Sequence, residues 1–308
     1  MLTPYLLERS TGKQYFVNGC IPSEETPQKL TDVLPTTTQL PPVVDLRRYM
    51  SVVEDQGKIG SCTANTLVAA YEYLANRKNG SYIDFSRLFL YYNARKRDNI
   101  QGDKGSSIAT SITVMQQQGV CKEATWPYQP HLVNVEPSAQ AYQEARNFLL
   151  KDARQLPIDL YTMKNFLASG YPFAFGIKLF NSFQQASKSG WVTMPSPNSE
   201  EGLQVHGHHA MLCVGYSDKH QVFIVRNSWS ERWGHGGYCY IPYSYLANPQ
   251  YSFDLWAICD ASLDTTPTTL FSMSSDLALD SWVTDEDSIV QPFTENEYDY
   301  EFQYLEDV

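Results

Sequence analysis

Three side chains in this sequence can support nucleophilic chemistry together: the thiol of Cys62, the imidazole of His209 and the carboxamide of Asn227. Cys62 lies in EDQGKIGSCTANTLVAA, residues 54–70. The residues before it, Gly57, Gly60 and Ser61, are poor helix formers. Those after it, Ala64, Leu67, Val68, Ala69, Ala70, Tyr71 and Leu74, recur at helical spacing. A turn therefore feeds a helix, and the sulfur sits at the helix N-terminus. Unpaired backbone N–H groups and the positive end of the dipole favour a thiolate there. Gln56, six residues upstream, supplies a neutral amide donor for an anion beside that sulfur. A lone cysteine after Gly-Ser is more often an inert apolar residue. A nucleophile also needs a base, a group that orients the base, and an oxyanion site.

The downstream motifs offer those groups. His209 lies in HGHHAMLCVGY, where residues 210–216 read as a buried strand with glycines near its ends. An imidazole at the mouth of such a strand is rigidly placed. Residues 222–225 read as a second strand that ends near Asn227. An asparagine carbonyl there can accept the imidazole N–H, fix the tautomer and aim the other ring nitrogen at sulfur. Trp229, two residues on, can cover that hydrogen bond and exclude water.

These residues resemble the papain-like cysteine peptidases. The matching stretches are QGKIGSCTA around Cys62, GHHAMLCVGY around His209 and RNSWSERWGHGGY around Asn227, with VVDLR at 43–47, Gly119-Val120 and WPY ending at Tyr128. The resemblance covers roughly residues 43–260. It implies an α+β, papain-like two-lobe fold: a helical lobe, an antiparallel β-barrel-like lobe, and the active-site cleft between them. It also implies an attacking Cys62, an acid–base His209 and an orienting Asn227. Gln56 and the Cys62 N–H would be the oxyanion donors, and a thioester acyl-enzyme the intermediate. Peptide substrate would run along Gly60, Ser61, Gly105, Ser106 and Ile108.

The chain departs from the family at several points. Ile59 replaces the cysteine often found three residues before the nucleophile, so the usual disulfide there is lacking. Thr63 replaces the tryptophan that usually follows the nucleophile. His208 precedes His209: charged, this second imidazole would lower the pKa of His209, and solvated it would do nothing. Ser106 stands where a glycine is usual and adds a side chain to the backbone-binding wall.

The elements that must carry these groups are legible from periodicity. Beyond the Cys62 helix, to about residue 75, helices are expected over 85–97, 107–118, 137–150 and 163–169. Strands are expected over 14–17, 173–179, 237–241 and 256–259. Residues 195–207 read as a polar loop, and Gly236 and Gly237 as a turn.

Residues 1–42, rich in Thr and Pro at their end, cannot make a core of their own. They read either as a propeptide across the cleft or as an arm on the back of the body. The catalytic domain spans 43–260, its helical lobe about 43–160 and its sheet lobe about 161–260. Residues 261–308 form an acidic tail with twelve Asp and Glu and no Lys or Arg. Most of the net charge of −11 belongs to that tail. Its end, EYDYEFQYL, alternates aromatic and polar residues like a strand, open to docking on the body, to a protein partner or to export.

Composition excludes several classes. There is no basic stripe for nucleic acid and no apolar run long enough to span a membrane. Residues 1–16 lack a basic start followed by an apolar core and a small-residue cleavage site, so a secretory signal is not expected there. With Cys62 reactive, five cysteines remain and cannot all pair, which favours a reducing environment, cytosolic or reached by a non-classical route. His206, His208, His209 and Cys213 crowd one extended stretch without an acidic ligand, so no metal and no cofactor is expected. The function expected is a thiol endopeptidase acting on a protein or peptide. The alternatives are an inactive papain-fold binding protein, or an acyl-transfer or isopeptide-cleaving enzyme with the same machinery.

Overall fold

The structure is a computed structural model that describes residues 5–7, 12–24, 39–195 and 205–261. The chain divides into two units, Met1–Leu263 and Asp264–Val308. The acidic tail with its alternating aromatic segment, and most of the polar loop before His209, lie outside the described residues.

Five helices carry most of the helical part: α1 (Cys62–Asn79), α2 (Arg87–Arg97), α3 (Ile108–Gln117), α4 (Ala139–Ala145) and α5 (Leu160–Ala168). α1 is buried all round from Cys62 to Ala75. Its Ala, Val, Leu and Tyr residues cover more than one face, which suits a helix packed against others on several sides. It ends where Gly80 adopts φ +65° and donates its N–H to the Asn76 carbonyl at 2.8 Å. Side-chain oxygens of Ser86, Ser107, Ser138 and Asp159 cap the other four helices. Where one helix was expected over 137–150, only α4 forms. The chain then turns, and Leu150 opens a strand.

The sheet has seven strands. In chain order they are β4 (Val43–Asp45), β6 (Leu150–Gln155), β7 (Phe173–Leu179), β8 (Gly207–Ser217), β9 (Val222–Arg226), β10 (Tyr238–Pro242) and β11 (Ser252–Ala261). They pair antiparallel in the order β10-β9-β8-β7-β11-β6, with β4 added to β8. This is an open path and not a closed barrel. β6, LKDARQ, is polar because it is a terminal strand; only Leu150 and Ala153 are fully buried, so no period-two pattern marks it. Gly215 is required where β4 crosses β8: a Cβ there would lie 2.2 Å from the Val44 carbonyl oxygen.

α1 packs against β8 on one side and α2 and α3 on others. That contact brings the helix start with Cys62 to the strand carrying His209. Among the described residues, four short strands lie outside the seven-stranded sheet. β1 (Tyr5–Leu7) pairs antiparallel with β2 (Gln14–Phe16), and β3 (Cys20–Ile21) pairs parallel with β5 (Ser106–Ser107). Among the described residues, no helix is long and apolar enough to cross a membrane.

Candidate active site

Cys62 is the first residue of α1 and is fully buried. The backbone N–H of Ala210, the residue after His209, reaches its sulfur, as do the N–H groups of Thr63 and of Cys62 itself. Thiol and imidazole strand therefore meet. His209 Nε2 donates to Asn227 Oδ1 at 2.8 Å. Ser228 N donates to the same oxygen at 2.8 Å, which fixes the orientation of the amide. With the proton held on Nε2, the Nδ1 lone pair is left for the thiol proton. The Trp229 indole stacks on the imidazole with centroids 4.7 Å apart.

Gln56 is buried beside this group. Its Oε1 accepts from Ser228 Oγ at 2.6 Å, and its Nε2 donates one hydrogen to the Ile59 carbonyl at 2.8 Å. A carboxamide nitrogen carries two hydrogens, so one remains.

The residues expected to line a substrate path divide in their roles. Gly60 N donates to Asp103 Oδ1 at 2.9 Å, and Tyr91 Oη donates to the same oxygen. Tyr91 Oη in turn accepts from Gly105 N at 2.9 Å. One buried network thus holds Gly60 and Gly105. Ser61 Oγ bonds Tyr128 Oη and points into the body. Ser106 was expected to add a side chain to the wall. Instead it is fully buried, and its Oγ bonds Thr63 Oγ1. The two departures from the family pattern satisfy one another. Ile108 is fully buried at the start of α3.

His208 plays no part in tuning His209. Its ring packs edge-on against Phe253 at 5.2 Å, and only burial and the Asn227 bond shift the base. No group of three or more metal-binding side chains occurs among the described residues. All six cysteines are free thiols.

The segment 12–24 packs against the residues of this site. The Tyr15 ring stacks on that of Trp229 with centroids 4.7 Å apart. Gly19 rests on the nucleophile: a Cβ there would lie 2.6 Å from the Gly60 carbonyl oxygen and 3.0 Å from Cys62 Sγ. The Gly19 carbonyl accepts from Ser106 N at 3.0 Å. It is therefore held by the wall opposite and not by Gln56. Beyond β3, Ser23 N donates to Asp254 Oδ2 at 2.7 Å, and Ser23 Oγ accepts from Ala109 N at 3.2 Å in the first turn of α3. These contacts place the described part of the arm against Trp229, Cys62 and the start of α3. The residue types of Tyr15, Gly19, Ser23 and Asp254 carried no local signal for this.

Burial decides the protonation of the pair. It pushes the Cys62 thiol up to about 12 against the downward pull of the Ala210, Thr63 and Cys62 N–H groups. It brings the His209 imidazole down to about 4, opposed by the bond to Asn227. The N–H groups at the helix start act in the expected direction, but desolvation outweighs them. Both shifts favour the neutral forms, thiol and imidazole.

The fold brings a thiol, an imidazole and a carboxamide together at the start of a buried helix. The papain family of cysteine proteases matches residues 40–248, and the chain belongs to it. It is a papain-like cysteine peptidase. It is 36% identical over 235 residues to an uncharacterised peptidase C1-like protein of Acanthamoeba polyphaga mimivirus, covering 70% of this chain and 74% of that one. Among solved structures it resembles xylellain, a cysteine protease of Xylella fastidiosa, with a TM-score of 0.70 and 35% identity over 78% of this chain and 95% of that chain. Procathepsin L 3 of Tenebrio molitor larval midgut shares the fold at a TM-score of 0.60 and 20% identity, over 77% and 76% of the two chains.

Proposed function

We propose that this chain is a latent thiol endopeptidase with a catalytic body at 43–260 and an inhibitory arm within 1–42. Cys62 attacks a peptide carbonyl. Its proton passes to Nδ1 of His209 and then to the leaving amine. Gln56, through its second Nε2 hydrogen, and the Cys62 N–H stabilise the oxyanion. Water, deprotonated by His209, then attacks the thioester and frees the acid. Asn227 holds the imidazole through both half-reactions, and Trp229 keeps water from that bond.

The observation that carries this reading is the bond from His209 Nε2 to Asn227 Oδ1, with Cys62 Sγ at the N–H of the next residue in the strand. The arm supports latency because Gly19 occupies the place above the sulfur that a substrate carbonyl needs. With its carbonyl tied to Ser106 N, that stretch is bound as an obstacle and is not presented for attack.

The test compares wild type with Cys62→Ala. Hydrolysis of a protein substrate should vanish in the variant while its melting curve keeps a single cooperative transition. Mass spectrometry of both over time should show residues before about 43 being lost in wild type alone if the arm is removed by the enzyme itself. Undiminished hydrolysis by Cys62→Ala would remove the assignment.

A further inference from the structure

Asn65 stands three residues after Cys62 in α1, and Arg87 is the first residue of α2. Both line a small cavity of about 10 Å³, together with Asn227, Glu72 and Arg226. Three buried polar atoms of its lining have no hydrogen-bond partner among the described residues: Asn65 Oδ1, Arg87 Nε and Asn227 Nδ2. Their orientations are not in question. Asn227 Oδ1 is committed to His209 and Ser228, so Nδ2 faces the other way. Asn65 Nδ2 donates to Ser61 O and Ser61 Oγ, both at 3.0 Å, so Oδ1 is the atom left over. The Arg87 terminal nitrogens are taken by Glu54 and Glu123, leaving Nε.

Buried polar atoms are rarely left unmatched, because each costs the full loss of its hydration. A cavity of roughly 10–15 Å³ holds one water, and buried waters make about three hydrogen bonds. The three atoms here have the right polarity for one. Asn227 Nδ2 and Arg87 Nε donate to it, and Asn65 Oδ1 accepts from it.

We propose that one buried water bridges Asn227 Nδ2, Asn65 Oδ1 and Arg87 Nε, and that Asn65 is thereby a positioning residue for the reaction. The proposal rests on the reading of Asn227 as the residue that orients His209. The bridge ties that orientation to the helix that begins with the nucleophile. Any rotation of the Asn227 amide away from His209 then breaks a second hydrogen bond as well as the first.

A high-resolution crystal structure of the full chain should show ordered density within about 3.2 Å of both Asn227 Nδ2 and Asn65 Oδ1. Absence of a water there overturns the proposal, whatever the protein's activity. This separates it from failure of the peptidase reading. In Asn65→Leu, which keeps the bulk and removes the acceptor together with the two bonds to Ser61, kcat should fall at least about tenfold with KM unchanged. Alkylation of Cys62 by iodoacetamide at pH 6 should slow by a similar factor. A folded Asn65→Leu with unchanged kcat and alkylation rate would overturn the positioning role. If that variant does not fold, Asn65→Ser with the same two readouts decides, since its shorter side chain also lacks reach to the water.

Discussion

Tyr15 and His209 stack on the same indole: each ring centroid lies 4.7 Å from that of Trp229. The residue that stacks on His209 thus also holds the segment whose Gly19 lies against Cys62 Sγ. Aromatic pairs of this kind contribute about 0.5–1.5 kcal/mol beyond the area they bury. In Tyr15→Ala the arm should leave the cleft more often, and iodoacetamide should label Cys62 several-fold faster at neutral pH. An unchanged labelling rate would mean that the anchor lies elsewhere.

Gly19 gives a sharper lever. A valine there places a Cβ 2.6 Å from the Gly60 carbonyl oxygen and 3.0 Å from Cys62 Sγ. Neither atom can move away cheaply, since one is backbone and the other opens a buried helix. Overpacking of this kind costs about 1–3 kcal/mol. Gly19→Val should therefore raise peptide hydrolysis by the full chain about tenfold or more. Peptide turnover no faster than wild type would count against an inhibitory arm.

Gln56 is held between Ser228 and Ile59, which leaves one Nε2 hydrogen for the oxyanion. Gln56→Ala should lower kcat by roughly 100- to 1,000-fold, as loss of an oxyanion donor does elsewhere. The comparison is best made in the Gly19→Val background, where the cleft is open. A drop of less than about threefold would argue that the oxyanion is stabilised by backbone N–H groups alone.

Glu72 supplies a pH test of the interior. Burial raises its carboxyl to about 7, opposed by hydrogen bonds from Ser51 Oγ and Phe85 N and by the Arg226 charge. The folded state thus binds the proton more tightly than the unfolded state, whose value is about 4.5. A raised carboxyl pKa contributes stability that is fully present below pH 4.5 and is lost as pH rises through about 7. The loss is on the order of 3 kcal/mol. Glu72→Gln removes this titration. The melting temperature of wild type minus that of Glu72→Gln should fall between pH 5 and pH 8, and a difference that stays flat or grows would contradict the raised value.

Much of the fold was readable locally. The strand expected over 173–179 is β7, and the helices expected over 85–97 and 107–118 are α2 and α3 to within two residues. Each has a full apolar period and a capping residue or glycine at its boundary. β6 escaped because a terminal strand needs few buried residues, and α4 is shorter than its composition allowed because the chain must turn to supply that strand.

The sequence by itself determined the chemistry on offer: a cysteine at a helix start, a histidine at a strand mouth, an asparagine beyond the next strand and a glutamine upstream. Those assignments follow from residue type, short-range spacing and resemblance, all of which are local properties of the text. Only the tertiary structure decided the state of that chemistry. It laid Gly19 on the sulfur, turned Ser106 inward to Thr63, moved His208 away from the base and set Asn65 behind Asn227. It also shifted both groups toward their neutral forms, because desolvation depends on everything packed around a group and cannot be read from the residues beside it in the chain.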